Sequence, residues 1–196
     1  MSTRGLVLAS TSPYRRDLLG RLGLAFTAVA PHCDEDRLKG QGLTAEDLVT
    51  RLARDKAESV AASHPDAVII GSDQAAEVDG QILGKPGTAA QARRQLRRLA
   101  GREHRLLTAL CLVDARTGQR AEDLDIHRMR LRSLSEEQIE RYVTNDDPVG
   151  CAGSYKIEGL GIALFEEVRG TDFTAVVGLP LTRVVALLSR LGIEIP

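Results

Sequence analysis

Apolar and polar positions fall along the chain in blocks whose length and period mark out elements. Leu6 to Ala9 is a short unbroken apolar run closed by Ser10, Thr11 and Ser12, the pattern of a buried strand. Ser12 then stands as an N-cap with Pro13 in the first helical position, where its missing N–H costs nothing. The helix presents Leu18, Leu19 and Leu22 on one face and stops at Gly23, the residue type that most easily takes the left-handed terminal conformation. A second strand is predicted over Phe26 to Val29, and the polar stretch from Pro31 to Gly42 as a loop. Thr44 with Asp47 opens a second helix in a near-capping-box arrangement, with Leu48, Leu52 and Ala57 inward and an end before Pro65. Ala67 to Gly71 reads as another buried strand, and Asp79-Gly80 as a tight hairpin turn.

The pattern continues with a third helix capped by Thr88 and ending near Gly101. Extended segments around Leu106 to Val113 and Leu124 to Leu131 flank a turn at Thr117-Gly118. Ser135 with Gln138 is a capping box for a fourth helix. Beyond Pro148 come a glycine-rich patch, a strand near Ile162 to Phe165 and a last helix from Pro180 to about Leu191. Helices and strands alternate early and strands cluster in the middle. This predicts an α/β or α+β fold with a mixed sheet, in a single domain over residues 1–196 without repeats or linkers.

Composition narrows the class. Of 196 residues, 43% are hydrophobic and 27% charged, which is ordinary globular usage. A chain of this length buries roughly 70% of its unfolded surface, so no disulfide or structural metal is required. The formal net charge of -1 provides no basic field for a nucleic acid polymer. Arg93, Arg94, Arg97 and Arg98 fall at helical spacing and read as a solvated helix face rather than a phosphate stripe. Cys33, Cys111 and Cys151 are far apart and form no CxxC pair, which supports neither a disulfide framework nor a zinc site. No apolar run approaches a signal peptide or a membrane span, and the expected location is the cytoplasm. A homodimer stays open.

Candidate chemistry gathers at a few places. The segment LASTSPYRRDLLGRLG leads hydroxylated residues into a helix N-terminus, whose unpaired N–H groups and dipole suit an anion. Arg15 and Arg16 add planar donors matched to phosphate, although a capped helix with two surface arginines explains the same residues. Asp34, Glu35 and Asp36 follow the second strand and Asp73 follows the third. Carboxylates at strand ends can face the crevice where α/β sheets bind ligands and can hold magnesium or manganese jointly with phosphates. Alone, they are also ordinary loop and turn residues. Lys56 and Lys85 stand out because the chain has only four lysines. The patch Gly153 to Gly159 combines glycine, Tyr155 and Glu158, a mixture suited to a flat polar base or to a strained structural loop.

Taken together, LASTSPYRRDLLGRLG, CDED, RLARDKA, IIGSDQ, GKP, LSEEQIERYV, CAGSYKIEGLG and VVGLPL resemble the Maf family in order and over nearly the whole chain. The resemblance implies a central curved mixed sheet with flanking helices and a deep cleft between two lobes. It implies a nucleoside triphosphate substrate, hydrolysis between its α- and β-phosphates, and a divalent cation, magnesium or manganese. It assigns Ser10, Arg15 and Arg16 to the phosphates, with Lys56 and Lys85 also binding substrate. Glu35 lines the same cleft as a metal ligand, and Asp73 is the proton acceptor or a metal ligand.

Tyr14, Gln74 and Glu158 occupy three positions that differ among family members. Here they resemble the subgroup acting on 7-methyl-GTP rather than the enzymes for dTTP and UTP. Methylation makes guanine cationic, so an aromatic face and a carboxylate both suit it. Ala109 stands where the family usually has Gly, Thr174 where Asn is common, and Tyr14 where the subgroup typically has Trp. The alternatives are a pyrophosphatase for dTTP, UTP or other non-standard nucleotides, and a nucleotide-binding regulator of division or septum formation.

Overall fold

The computed structural model of the protein describes residues 4–196. Seven strands form one mixed sheet in the order β2-β1-β3-β5-β6-β7, with β4 paired to β3. They are β1 (Gly5–Ala9), β2 (Thr27–Val29), β3 (Ala67–Val78), β4 (Gln81–Leu83), β5 (Glu103–Asp114), β6 (Arg120–Leu131) and β7 (Phe165–Arg169). The helices are α1 (Pro13–Gly20), α2 (Glu35–Lys39), α3 (Ala45–Ala61), α4 (Ala89–Leu99), α5 (Glu136–Asp146), α6 (Phe173–Val177) and α7 (Leu181–Arg190). The mixed sheet with flanking helices is the class expected from the alternating pattern. No helix among the described residues is long and apolar enough to cross a membrane.

The chain divides into two compact units. The first holds residues up to Asp73, Thr108–Asp125 and Asp172–Pro196. In it β1 runs parallel to both β2 and β3, with Leu8 opposite Ile70. Side chains alternate across a strand, so the two faces of this sheet are built from different residues. Leu6, Leu8, Val68, Ile70, Leu110 and Leu112 form one core with Leu18 and Leu19 of α1 and Val184, Leu187 and Leu188 of α7. Gly71 meets α3 at Ala53 and Ala57, on the opposite face.

The second unit holds Gln74–Leu107 and Ile126–Thr171. Here α4 and α5 pack together through Ala92, Leu96 and Leu99 on one side and Ile139, Tyr142 and Val143 on the other. The arginine stripe of α4 lies along this pair. Arg97 Nε donates to Glu136 at 2.8 Å and Arg93 Nη2 to Glu140 at 2.7 Å. These arginines are engaged with carboxylates of α5 at the surface, in keeping with a solvated face.

Local chemistry explains most boundaries. Ser12, Thr44, Thr88 and Ser135 each accept a backbone N–H as N-caps, and Ser135 with Gln138 completes a capping box. The Asp79-Gly80 hairpin has both residues at positive φ, 50° and 72°, the turn that matches strand twist. Three expectations need correction. The predicted loop from Pro31 to Gly42 contains α2, because Asp34 Oδ1 accepts the Arg37 N–H at 3.0 Å and starts a turn of helix. The strand over Ala67 to Gly71 continues to Val78, because Ser72 and Asp73 are polar but buried and partnered. The run near Ile162 to Phe165 is a 3-10 turn over Leu160–Leu164, and the strand only begins at Phe165. Gly161 allows that turn: a Cβ there would meet the Lys156 backbone, with its nitrogen at 2.9 Å. The short helix α6 was not anticipated.

One buried group in the second unit links packing to pH. His104 is 2% exposed, its Nε2 lies 2.9 Å from the Tyr155 hydroxyl, and Phe165 meets the Tyr155 ring edge-on at 4.9 Å. Burial pushes the His104 pKa down to about 4, because the charged ring would lose its hydration. The folded value lies below the unfolded one, so the stabilisation is complete above about pH 6.5 and is lost as pH falls towards about 4. A shift of this size corresponds to about 3 kcal/mol. Urea unfolding of wild type and His104→Gln at pH 7 and pH 4.5 checks this. The variant should lose markedly less stability on acidification, and equal losses would contradict the account.

Candidate active site

The turn between β1 and α1 is shaped by its hydroxyls. Ser10 is buried, and its Oγ accepts the Ser12 N–H at 3.1 Å. Ser12 in turn caps α1 by accepting the Arg15 N–H at 3.4 Å. Arg15 is half-buried, and its Nε donates to the Gly178 carbonyl at 2.9 Å, which fixes the plane of the guanidinium. The Ser72 hydroxyl donates to the same carbonyl at 3.2 Å. Arg16 is exposed and Tyr14 half-buried on the same helix.

The charged centre lies where α3 crosses β3. A Cβ on Gly71 would meet the Ala53 carbonyl and lie 2.8 Å from the Ala57 nitrogen, so only glycine lets the helix come this close. That approach sets Lys56, on the buried face of α3, against Asp73. Lys56 is 7% exposed and Asp73 is 9% exposed. Lys56 Nζ lies 2.5 Å from Asp73 Oδ1 and 2.8 Å from Glu35 Oε1. Glu35 is the first residue of α2, which packs on α3. Burial pulls the Lys56 pKa down, but the Asp73 charge and hydrogen bonds to Asp73 and Glu35 outweigh it and the net shift is upward. Burial lowers the Arg15 pKa, opposed by Asp73 and Glu35, so all four groups share one field.

Asp73 is not at the end of β3, as the sequence pattern suggested, but in its middle. The parallel pairing with β1 stops at Ile70, however, so Asp73 still lies beyond the carboxyl end of β1, where such sheets place ligands. Cys33 lies in the same field, and burial raises its pKa, which keeps the thiol protonated and weakly reactive.

Glu35 and Asp73 present hard oxygen donors, the ligand type that magnesium and manganese take. Two carboxylate oxygens already converge on one positive centre, the Lys56 ammonium. No group of three His, Cys, Asp or Glu gathers among the described residues. Two hard oxygen donors with phosphate and water completing the shell is the usual manner of magnesium, whereas a closed zinc site needs more protein ligands.

The model of the Maf family, described as Maf-like protein, matches residues 5–191. The chain belongs to the Maf family. It is 50% identical to a protein named 7-methyl-GTP pyrophosphatase from Xanthomonas campestris pv. campestris (strain 8004), covering 97% of this chain and 98% of that one. Proteins of the same name from Pseudomonas putida and Pseudomonas aeruginosa are 49% and 46% identical over the same shares. The Maf match therefore spans residues of both compact units.

The remaining candidates belong to the second unit. Gln74 follows Asp73 in β3 and is half-buried. Lys85 and Glu158 are exposed, and the charges of both reach the Cys151 thiol. Burial is the first cause that raises Cys151 to about 11, with Glu158 raising and Lys85 lowering it. Tyr155 is a correction to the base-recognition reading of its patch. Its ring is 5% exposed and committed to His104 and Phe165, so among the two residues that suggested base recognition only Glu158 is accessible.

Sequence reasoning missed Gly178, Ser72 and Asp172. The Asp172-x-Thr174 pattern ahead of apolar residues 175–177 was a readable helix N-cap. The role of Gly71 generates a test. Gly71→Ala should cost about 1–3 kcal/mol by overpacking and also reduce activity, because α3 must retreat and carry Lys56 with it. Gly20→Ala, where a Cβ meets nothing within 4 Å, should be neutral or stabilising in the same unfolding and activity assays. Unchanged stability in Gly71→Ala would contradict the packing argument.

Proposed function

We propose that the chain hydrolyses 7-methyl-GTP to 7-methyl-GMP and pyrophosphate, removing a modified nucleotide from the pool. The observation that carries the substrate is the 46–50% identity, over nearly the full length, to proteins named 7-methyl-GTP pyrophosphatase. The chemistry draws its support from the charge cluster of Arg15, Glu35, Lys56 and Asp73, in which Lys56 and Asp73 are buried.

That cluster carries two positive and two negative side chains and is formally neutral. A triphosphate entering it brings surplus negative charge, which calls for further cations. Arg15, held by Gly178, and Arg16 supply planar donors to phosphate oxygens, and Ser10 supplies a hydroxyl near the N-terminus of α1. Lys56 brings its ammonium as a point charge already counted in the neutral cluster, and Lys85 adds one beyond it. Lys56 also orients Asp73 through its 2.5 Å bond, so that the carboxylate can accept the proton of a water attacking phosphorus. Glu35 and Asp73 would hold magnesium or manganese, which when bound screens the phosphates and lowers the pKa of its water. The reaction thus divides into phosphate anchoring by α1 and its loop and proton removal at β3.

For the base, the reading assigns Tyr14, Gln74 and Glu158. An aromatic face gains about 1 kcal/mol or more on a desolvated cation. The Glu158 carboxylate can accept hydrogen bonds from the guanine N1–H and amino group and balance the ring charge. Size alone separates methylated from plain guanine weakly, by about 1–3 kcal/mol, so charge must supply the rest.

Two measurements test this. With saturating magnesium, Asp73→Asn should bind nucleotide nearly as wild type yet turn over at least ~100-fold more slowly, the scale of general-base loss. Wild-type activity should vanish in excess chelator. Near-normal turnover in Asp73→Asn would remove Asp73 from the mechanism. In Glu158→Gln, the ratio of kcat/KM for 7-methyl-GTP over dTTP should fall by about 10-fold or more while turnover of dTTP changes little. A ratio untouched by the substitution would remove Glu158 from substrate choice.

A further inference from the structure

Asp172 is a buried carboxylate that none of these roles uses. It is 5% exposed, and its two oxygens are fully engaged by the segment that follows it. Oδ1 accepts the Thr174 N–H at 2.9 Å and the Thr174 hydroxyl at 2.5 Å. Oδ2 accepts the Thr182 N–H at 2.8 Å and the Thr182 hydroxyl at 2.7 Å. The Thr174 Oγ1 in turn accepts the Leu181 N–H at 2.8 Å. Burial alone would raise the carboxyl's pKa, but these bonds outweigh it and hold Asp172 below the usual carboxylate range.

The result is a loop closed at both ends. Asp172 caps α6 at its start and grips the first turn of α7 at its finish. Between the two helices lies Gly178, at φ 131° and ψ 5°, a conformation that side-chain-bearing residues rarely adopt. Its N–H donates to the Thr174 carbonyl at 3.1 Å. The Thr108 hydroxyl ties down the middle of the loop through the Ala175 carbonyl at 2.9 Å. The Gly178 carbonyl is therefore held from several sides, and Arg15 Nε is bonded to it.

We propose that Asp172 is a positioning residue: by closing the 172–182 loop it fixes the Gly178 carbonyl, and that carbonyl aims the Arg15 guanidinium at substrate phosphate. The proposal rests on the reading of Arg15 as a phosphate-binding group. Asp172 touches no substrate and acts only through the loop. A helix cap with no further consequence would support α6 and α7 but leave Arg15 alone.

The test separates these. In 15N-labelled protein the Arg15 Nε–H resonance, assigned by its absence in Arg15→Lys, should be protected from solvent exchange. In Asp172→Asn the new amide sets donors against the Thr182 donors, and this protection should fall about 10-fold, the scale of one lost hydrogen bond. Thr174→Val keeps the shape, removes one hydroxyl of the clamp and should shift the same resonance in the same direction. It serves if Asp172→Asn does not fold. By calorimetry, affinity for inorganic pyrophosphate should fall about 10- to 100-fold in Asp172→Asn, as misplacement of an anchoring group implies. In an Arg15→Lys background the same change should alter affinity by less than about two-fold, because the effect runs through Arg15. Unchanged Arg15 Nε protection in the folded variants, or an equal affinity loss in both backgrounds, would overturn the proposal. If wild type binds no pyrophosphate, the phosphate role of Arg15 fails, and the exchange measurement still decides whether Asp172 holds Arg15.

Discussion

The Lys56 ammonium, buried between the carboxylates of Asp73 and Glu35, is the interaction on which the rest of the first unit is arranged. Taking such charges out of water costs several kcal/mol per ion, and only close opposite charges and good geometry offset it. The fold meets that requirement with three independent pieces. Gly71 removes the side chain that would hold α3 off β3. Asp34 starts α2 and so brings Glu35 to the ammonium. Arg15 adds the second positive charge and makes the cluster formally neutral. Removing any one would leave the others uncompensated, which is why a site with this many charges needs so exact a backbone.

The two faces of the β1–β3 sheet give neighbouring residues of β3 different polar partners. Asp73 shares the face of Gly71 with α3, whereas Ser72 points to the face covered by α1 and α7 and donates to Gly178. One dipeptide thus meets Lys56 on one side and the Gly178 carbonyl on the other. The Gly178 carbonyl carries no net charge and can orient Arg15 without neutralising it. A carboxylate in that place would compete with phosphate for the same guanidinium.

Much of this was legible in the chain. Helix caps at Ser12, Thr44, Thr88 and Ser135 were readable because capping is local chemistry between residues three apart. The Asp79-Gly80 turn was readable for the same reason. What escaped the pattern depended on tertiary partners. Ser72 and Asp73 look like a strand terminus until Gly178 and Lys56 satisfy them within a longer strand. The stretch from Ile162 to Phe165 looks like a strand by composition, yet Ile162 is 50% exposed and the backbone over Leu160–Leu164 turns on Gly161. Tyr155 shows the converse: an aromatic in a glycine-rich patch suggested a base, and the fold spends it on His104 and Phe165. The set of site residues came from the order of several motifs together, since each alone had an ordinary structural explanation.

The account's central claim is a substrate and a bond. Its most direct test is to follow product formation by phosphorus NMR with the unmodified protein and magnesium, offering 7-methyl-GTP, GTP, dTTP and UTP in competition. The account predicts that 7-methyl-GTP is consumed well ahead of the others and appears as 7-methyl-GMP with one equivalent of pyrophosphate. Preferred consumption of dTTP, or release of orthophosphate with a nucleoside diphosphate, would contradict it.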